Sequence, residues 1–181
     1  MDKPLYDRLG IDTSTLGCVM LDAEPLDVHD AFSDQFWYYG DLPGGRVGGP
    51  EREAHVTLLF GLMGNGHIWR EYVDEVLDGW KPPDVIQVRE FEVFTGQGYD
   101  VVVGKVWDQS KLRDAHSRLS RLPHINTHPY RPHVTVGYVN PGVGEFMLPK
   151  LRELIVERPG SVFQLAVRGL NYGDDPAGGE S

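Results

Sequence analysis

The chain has 181 residues, 40% hydrophobic and 24% charged, which fits one soluble globular domain and leaves too little for two ordinary ones. A formal net charge of −10, with no run of lysine or arginine, repels polyanions and argues against a protein that grips long RNA or DNA. No stretch approaches the length of a membrane span, and Met1-Asp2-Lys3-Pro4 lacks the basic and apolar regions of a secretory signal, so the expected location is the cytoplasm. The one cysteine, Cys18, lies in an apolar run and reads as a buried free thiol.

In chain order, residues 1 to 13 are polar and turn-rich and are expected to wrap the domain edge. Leu16 to Leu21 reads as a central strand, nearly continuous in apolar character. A short helix is expected within Pro25 to Phe36, followed by four aromatics in a row, Phe36-Trp37-Tyr38-Tyr39. Strand alternation turns half of these away from the core, making Trp37 or Tyr39 a candidate for stacking on a nucleobase. Leu42 to Pro50, with its glycines and prolines around Arg46, reads as a flexible loop placed to act as a lid. Ala54 to Phe60 is a strand, and His67 to Trp80 an amphipathic helix. Val85 to Phe94 and Tyr99 to Trp107 form a hairpin across a glycine-containing turn. Ser110 reads as the N-cap of a helix through Leu122, with Leu112, Ala115, Leu119 and Leu122 on one face. A strand spans Pro132 to Tyr138, and a helix Leu148 to Val156, with Pro149 in its first turn. Val162 to Leu170 is a last strand, so residues 1–170 form one domain and the glycine- and acid-rich 171–181 a flexible tail.

Two of these strands say nearly the same thing. His55-Val56-Thr57-Leu58 and His133-Val134-Thr135-Val136 are both His-x-Thr-apolar runs, and alternation puts each imidazole on the same face as its hydroxyl, opposite the valines. The paired motifs, with Tyr130-Arg131-Pro132 leading into the second, resemble the 2H phosphoesterases. That resemblance implies a bilobal, pseudo-symmetric α+β fold, two mainly antiparallel sheets around a central cleft with helices outside. It further implies His55, Thr57, His133 and Thr135 as catalytic residues. In such a site two imidazoles with near-neutral pKa values supply base and acid, and the threonine hydroxyls donate to the non-bridging oxygens. No metal and no cofactor is needed.

Arg131 and Arg46 are candidates to neutralise the phosphate, Tyr130 is a groove candidate, and Glu145 is placed to orient an imidazole or a ribose. Tyr138 alternates onto the core face and is set aside. His124 and His128 have a spacing seen in zinc sites but no cysteine partner, while His29, His67 and His116 read as surface or helix-boundary residues. The expected partner is a small nucleotide or a cyclic oligonucleotide. His55 to Gly61 and the glycine-rich loop look similar to phage anti-CBASS phosphodiesterases, which degrade cyclic di- and trinucleotide immune signals; the location would then be the host cytoplasm. The alternatives are the 2′-5′ RNA ligase/2′,3′-cyclic phosphodiesterase branch, the tRNA-splicing type, and a protein that sequesters a nucleotide without turnover.

Overall fold

The computed structural model describes residues 8–10, 16–43, 45–64, 66–126 and 128–173, with side chains omitted at 66 and 67. Its strands are β1 (Gly17–Ala23), β2 (Ala54–Leu62), β3 (Val85–Thr95), β4 (Asp100–Trp107), β5 (His133–Val139) and β6 (Phe163–Asn171). Its α-helices are α1 (Arg70–Val76), α2 (Ser110–Leu119) and α3 (Val143–Val156). The strands close into one antiparallel barrel in the spatial order β1-β2-β5-β4-β3-β6.

The six strands form one closed antiparallel sheet with helices outside, the α+β fold expected, and it divides into two three-stranded halves. One half is β6-β1-β2 and the other β3-β4-β5. They are laced together by four residue pairs between β3 and β6, from Val85↔Ala166 to Val88↔Phe163. At the other seam β2 meets β5 through the single pair Val56↔Val134. Each half carries one His-x-Thr strand at this second seam, so the geometry that brings the motifs together is the closure of the sheet itself.

The outward faces of the motif strands form the core. Val56, Leu58, Val134 and Val136 are fully buried, each burial stabilising the fold by roughly 1.5–3 kcal/mol. Helix α2 packs against β2, and α3 against β3 and β4. Gly144 lets α3 approach closely, since a Cβ there would meet the Val93 and Val102 methyls at 2.9 and 3.4 Å. The buried Asp100 carboxylate accepts the Gly142 N–H at 2.8 Å, fixing the start of that helix.

Several elements differ from expectation, each for a local reason. Residues 25–36 contain two 3-10 turns, His29–Ala31 and Asp34–Phe36, instead of a helix, because the segment is too short to propagate one. Helix α1 is confined to Arg70–Val76, with Gly66–Trp69 forming a 3-10 lead-in. Helix α3 begins at Val143, so Pro149 lies inside it and not in its first turn. That proline costs about 3 kcal/mol of helix propensity, offset by burial of Met147, Leu148, Leu151 and Ile155. The fold also runs past the expected boundary at 170. Asn171 ends β6, and Tyr172 is buried with its hydroxyl donating to Asp74 at 2.9 Å. The rest of the proposed tail, and most of the N-terminal edge segment, lie outside the described residues.

Candidate active site

The Val56↔Val134 pair fixes the arrangement of the motif residues. Antiparallel continuation from it sets His55 opposite Thr135 and Thr57 opposite His133, all four on the groove face. The two imidazoles therefore occupy one diagonal of a square and the two threonines the other, with a diagonal spacing of roughly 7–8 Å between strand positions. All four residues are half-buried, reachable from solvent but largely dry. On either side of the pair the strands part. Beyond it β5 hydrogen-bonds residues 49–51, with Glu51 N–H donating to the Val136 carbonyl at 2.9 Å and Tyr138 N–H to that of Gly49 at 3.0 Å. In the same way β2 takes the segment before β5, with Ile125 N–H donating to the Gly61 carbonyl at 2.7 Å. At that contact Gly61 has φ +91° and no room for a Cβ.

A β-bulge in each motif strand reshapes what faces the groove. Val19 pairs with Leu59 but Met20 with Thr57, leaving Leu58 as an extra residue. Likewise Val102 pairs with Gly137 but Val103 with Thr135, leaving Val136 as an extra residue. Both bulges fall three residues after the motif histidine. Each reverses the alternation beyond it, so Phe60 and Tyr138, five residues after His55 and His133, turn onto the groove face. The expectation that Tyr138 belongs to the core is thereby corrected, because strict alternation does not survive a bulge. The groove floor below the threonines is Met20 on one side and Val103 on the other, both buried.

Charges flank the histidines unequally. The register puts Asp22 on β1 beside His55, and Lys105 on β4 beside His133. The Asp22 carboxylate accepts from the Asn171 amide at 3.2 Å. Burial lowers the His55 pKa, with Arg46 and His133 lowering it further and Asp22 opposing them. Burial also lowers that of His133, opposed by the Arg131 carbonyl and by Glu92. The His133 Nδ1–H donates to that carbonyl at 2.7 Å, which leaves Nε2 as the nitrogen free to meet a ligand. Phe94 meets the His133 ring edge-on at 5.2 Å and fixes its plane.

Of the other residues expected at the site, the structure brings two to the groove. Arg46 lies on a small hairpin closed by Leu42 N–H to the Arg46 carbonyl at 2.8 Å, and its guanidinium is 3.4 Å from the Tyr138 hydroxyl. Residues 46–50 are therefore docked along β5. Arg131 stands at the mouth, its guanidinium 6.0 Å from the Phe94 ring centre. The remaining candidates lie elsewhere. Trp37 is buried beside His29 and Phe32, and Tyr39 is exposed and donates its hydroxyl to Asp34. Between them Tyr38 reaches the groove end, stacked on Tyr99 at 5.3 Å, which in turn meets Tyr138 at 5.8 Å. Tyr130 is behind β2, stacked on His116 with its hydroxyl donating to the Thr57 carbonyl at 2.9 Å. Glu145 is exposed on α3, which covers the face of the sheet opposite the groove.

Sequence reasoning missed Asp22, Tyr38, Phe60, Glu51 and Tyr138. Glu51 has its carboxyl pushed up to about 7, chiefly by burial. No pattern in the chain marks a bulge, and only the shared +5 aromatic in the two motifs was available as a sign. Cys18, expected to be buried, is half-buried and pairs with Phe60. His29, expected near the surface, is buried, and His116 is part of the packing behind β2. Among the described residues no group of three or more His, Cys, Asp or Glu is placed to hold a metal ion, and no helix is long and apolar enough to cross a membrane.

The model of the 2′-5′ RNA ligase superfamily matches residues 31–167. No curated protein matches the sequence. Among solved structures, Usb1 from Kluyveromyces marxianus is similar with a TM-score of 0.52 at 12% identity, over 91% of this chain and 96% of that one. The same organism's Usb1 with uridine monophosphate gives a TM-score of 0.46 at 14% identity, over 88% and 98%. The first of these shows a shared fold. With the family match covering most of the chain and both motifs inside it, the chain belongs to the 2′-5′ RNA ligase superfamily, the 2H phosphoesterases, and is a phosphodiesterase.

Proposed function

We propose that His55 and His133 act as the acid–base pair, and Thr57 and Thr135 as the oxyanion donors, in cleavage of a small nucleotide phosphodiester. The observation that carries this is the diagonal set by Val56↔Val134, which offers a phosphate two imidazoles on opposite sides and two hydroxyls on the other corners. One imidazole takes the proton from the attacking oxygen while the other delivers one to the departing oxygen. His133, its Nδ1–H held by the Arg131 carbonyl, presents an Nε2 lone pair suited to the base. His55 is assigned as the acid, its protonated form favoured by Asp22 as that of His133 is by Glu92. For a 2′,3′-cyclic phosphate the nucleophile is water; for a 3′-5′ linkage the neighbouring 2′-hydroxyl attacks first. No step in this scheme needs a metal, since charge and protons are both handled by side chains.

Phe60 at one end and the Tyr38, Tyr99 and Tyr138 cluster at the other support a substrate with a base on each side of the phosphate, as in a cyclic di- or trinucleotide signal. Base stacking on such rings contributes about 1–3 kcal/mol each. The superfamily match favours a second reading, 2′-5′ RNA ligase-like or 2′,3′-cyclic phosphodiesterase processing of RNA ends. One experiment separates these. The protein is incubated in EDTA with 2′,3′-cyclic nucleotides, 2′-5′ oligoadenylate and cyclic di- and trinucleotides, and products are resolved by chromatography. Turnover of the cyclic oligonucleotides alone supports the first reading, and turnover of the 2′,3′-cyclic or 2′-5′ substrates the second. Tight binding without product, unchanged in His55→Ala, would mean sequestration, and loss of activity in EDTA would overturn the metal-free scheme.

A further inference from the structure

The parting of β2 and β5 leaves carbonyls near the seam that the neighbouring motif strand does not reach, and buried carbonyls need donors. Side chains add donors from behind the sheet. His116 Nδ1 lies 2.7 Å from the Leu58 carbonyl oxygen. His29 Nε2 lies 2.8 Å from that of Val136, as a second donor beside the Glu51 N–H at 2.9 Å. Leu58 and Val136 are the extra residues of the two bulges, so a second pair of histidines contacts equivalent points of the two motif strands. Each ring is held by an aromatic neighbour. His116 stacks on Tyr130 at 4.0 Å and 3°, and His29 packs against Trp37 at 6.0 Å and 40°. A carbonyl only accepts, so the proton sits on Nδ1 of His116 and Nε2 of His29. His29 is buried, and burial lowers its pKa against the main-chain hydrogen bonds that raise it.

We propose that His29 and His116 are positioning residues that grip the two bulges from the outer face and thereby set where Thr57, Thr135, Phe60 and Tyr138 stand in the groove. Neither ring touches the groove; His116 acts through the Leu58 carbonyl, and His29 through that of Val136 beside a further main-chain interaction with Glu51. Without its histidine the Leu58 bulge loses a side-chain donor and the Val136 bulge keeps only the Glu51 N–H, and relaxation toward an even ladder shifts the following aromatic off the groove face. The proposal rests on the phosphodiesterase reading only for its kinetic consequence.

The two rings donate through different nitrogens, which gives a crossed rescue. His29→Gln places an amide N–H where Nε2 was, and His29→Asn falls short of it. His116→Asn reproduces Nδ1, and His116→Gln overshoots it. On whichever phosphodiester the wild type cleaves, His29→Asn and His116→Gln are expected to lose about ten- to a hundredfold in kcat/KM, through a lower kcat and a raised KM, the scale of a small misplacement in an active site. His29→Gln and His116→Asn stay within about threefold. Long-range ¹H–¹⁵N spectra of the wild type are expected to show His29 protonated at Nε2 and His116 at Nδ1. Opposite tautomers would overturn the proposal, as would kcat per folded molecule that stays at wild type in all four variants while only Tm falls. If the wild type cleaves no phosphodiester, the functional reading fails on its own, and the tautomers still decide the grip.

Discussion

The two halves of the barrel, β6-β1-β2 and β3-β4-β5, share a backbone plan down to the position of a bulge, yet their groove faces are chemically unlike. His55 stands beside Asp22, and His133 beside Lys105, which pairs with Glu90 at 3.8 Å. Beyond the bulges, Phe60 lies next to Cys18, whereas Tyr138 joins Tyr99, Tyr38 and the Arg46 guanidinium. The duplicated part is what a tetrahedral phosphorus can use from either side. The unequal part is what two different substituents on that phosphorus would meet. In the proposed reaction, symmetry belongs to the phosphorus centre and asymmetry to the ends of the substrate.

That division can be pressed first through charge at His55. Both imidazoles are lowered from their ordinary value by burial and His55 further by its partner, so a site needing one protonated and one neutral ring is most populated below pH 6.5. The kcat/KM profile is expected to be a bell centred there. Asp22→Asn removes the carboxylate that raises His55 and moves the alkaline limb to lower pH; Arg46→Gln removes a cation and moves it to higher pH, each by up to about one unit. Movement of either limb in the opposite direction would break the assignment of unequal surroundings. A smaller effect is expected at Glu51, whose main chain pairs with β5 and whose folded carboxyl titrates at about 7 instead of 4.5. Its protonated form is the favoured one in the fold, so its contribution is fully present below pH 4.5 and is lost as pH rises through 7. Glu51→Gln should stabilise the protein at pH 8 by about 1 kcal/mol, discounted for partial exposure, with the gain gone at pH 4.5. Urea titration at the two pH values measures it, and equal gains at both would contradict it.

The strands and the site's four central residues were legible in the sequence, because apolar alternation and the His-x-Thr repeat are both local patterns. What surrounds them was not. Trp37 and Tyr39 were favoured over Tyr38 by a strand assumption, where the chain makes a 3-10 turn through Phe36 and then a hairpin. Tyr138 was set aside by strict alternation, which one extra residue at Val136 undoes. Tyr130 and Glu145 follow or precede β5 closely in sequence, but closeness along the chain says nothing about which side of the sheet a residue falls on. Asp22 reaches His55 only through the pairing of β1 with β2, a register fixed by tertiary closure.

The claim that everything else depends on is that His55 and His133 act on one phosphorus. The most direct measurement is kcat of His55→Ala, His133→Ala and the double variant on a substrate the wild type turns over. Groups that act as one unit predict a loss of about a thousandfold or more in each single variant and little further loss in the double. Losses that multiply in the double variant, or a single variant retaining most of its activity, would contradict it.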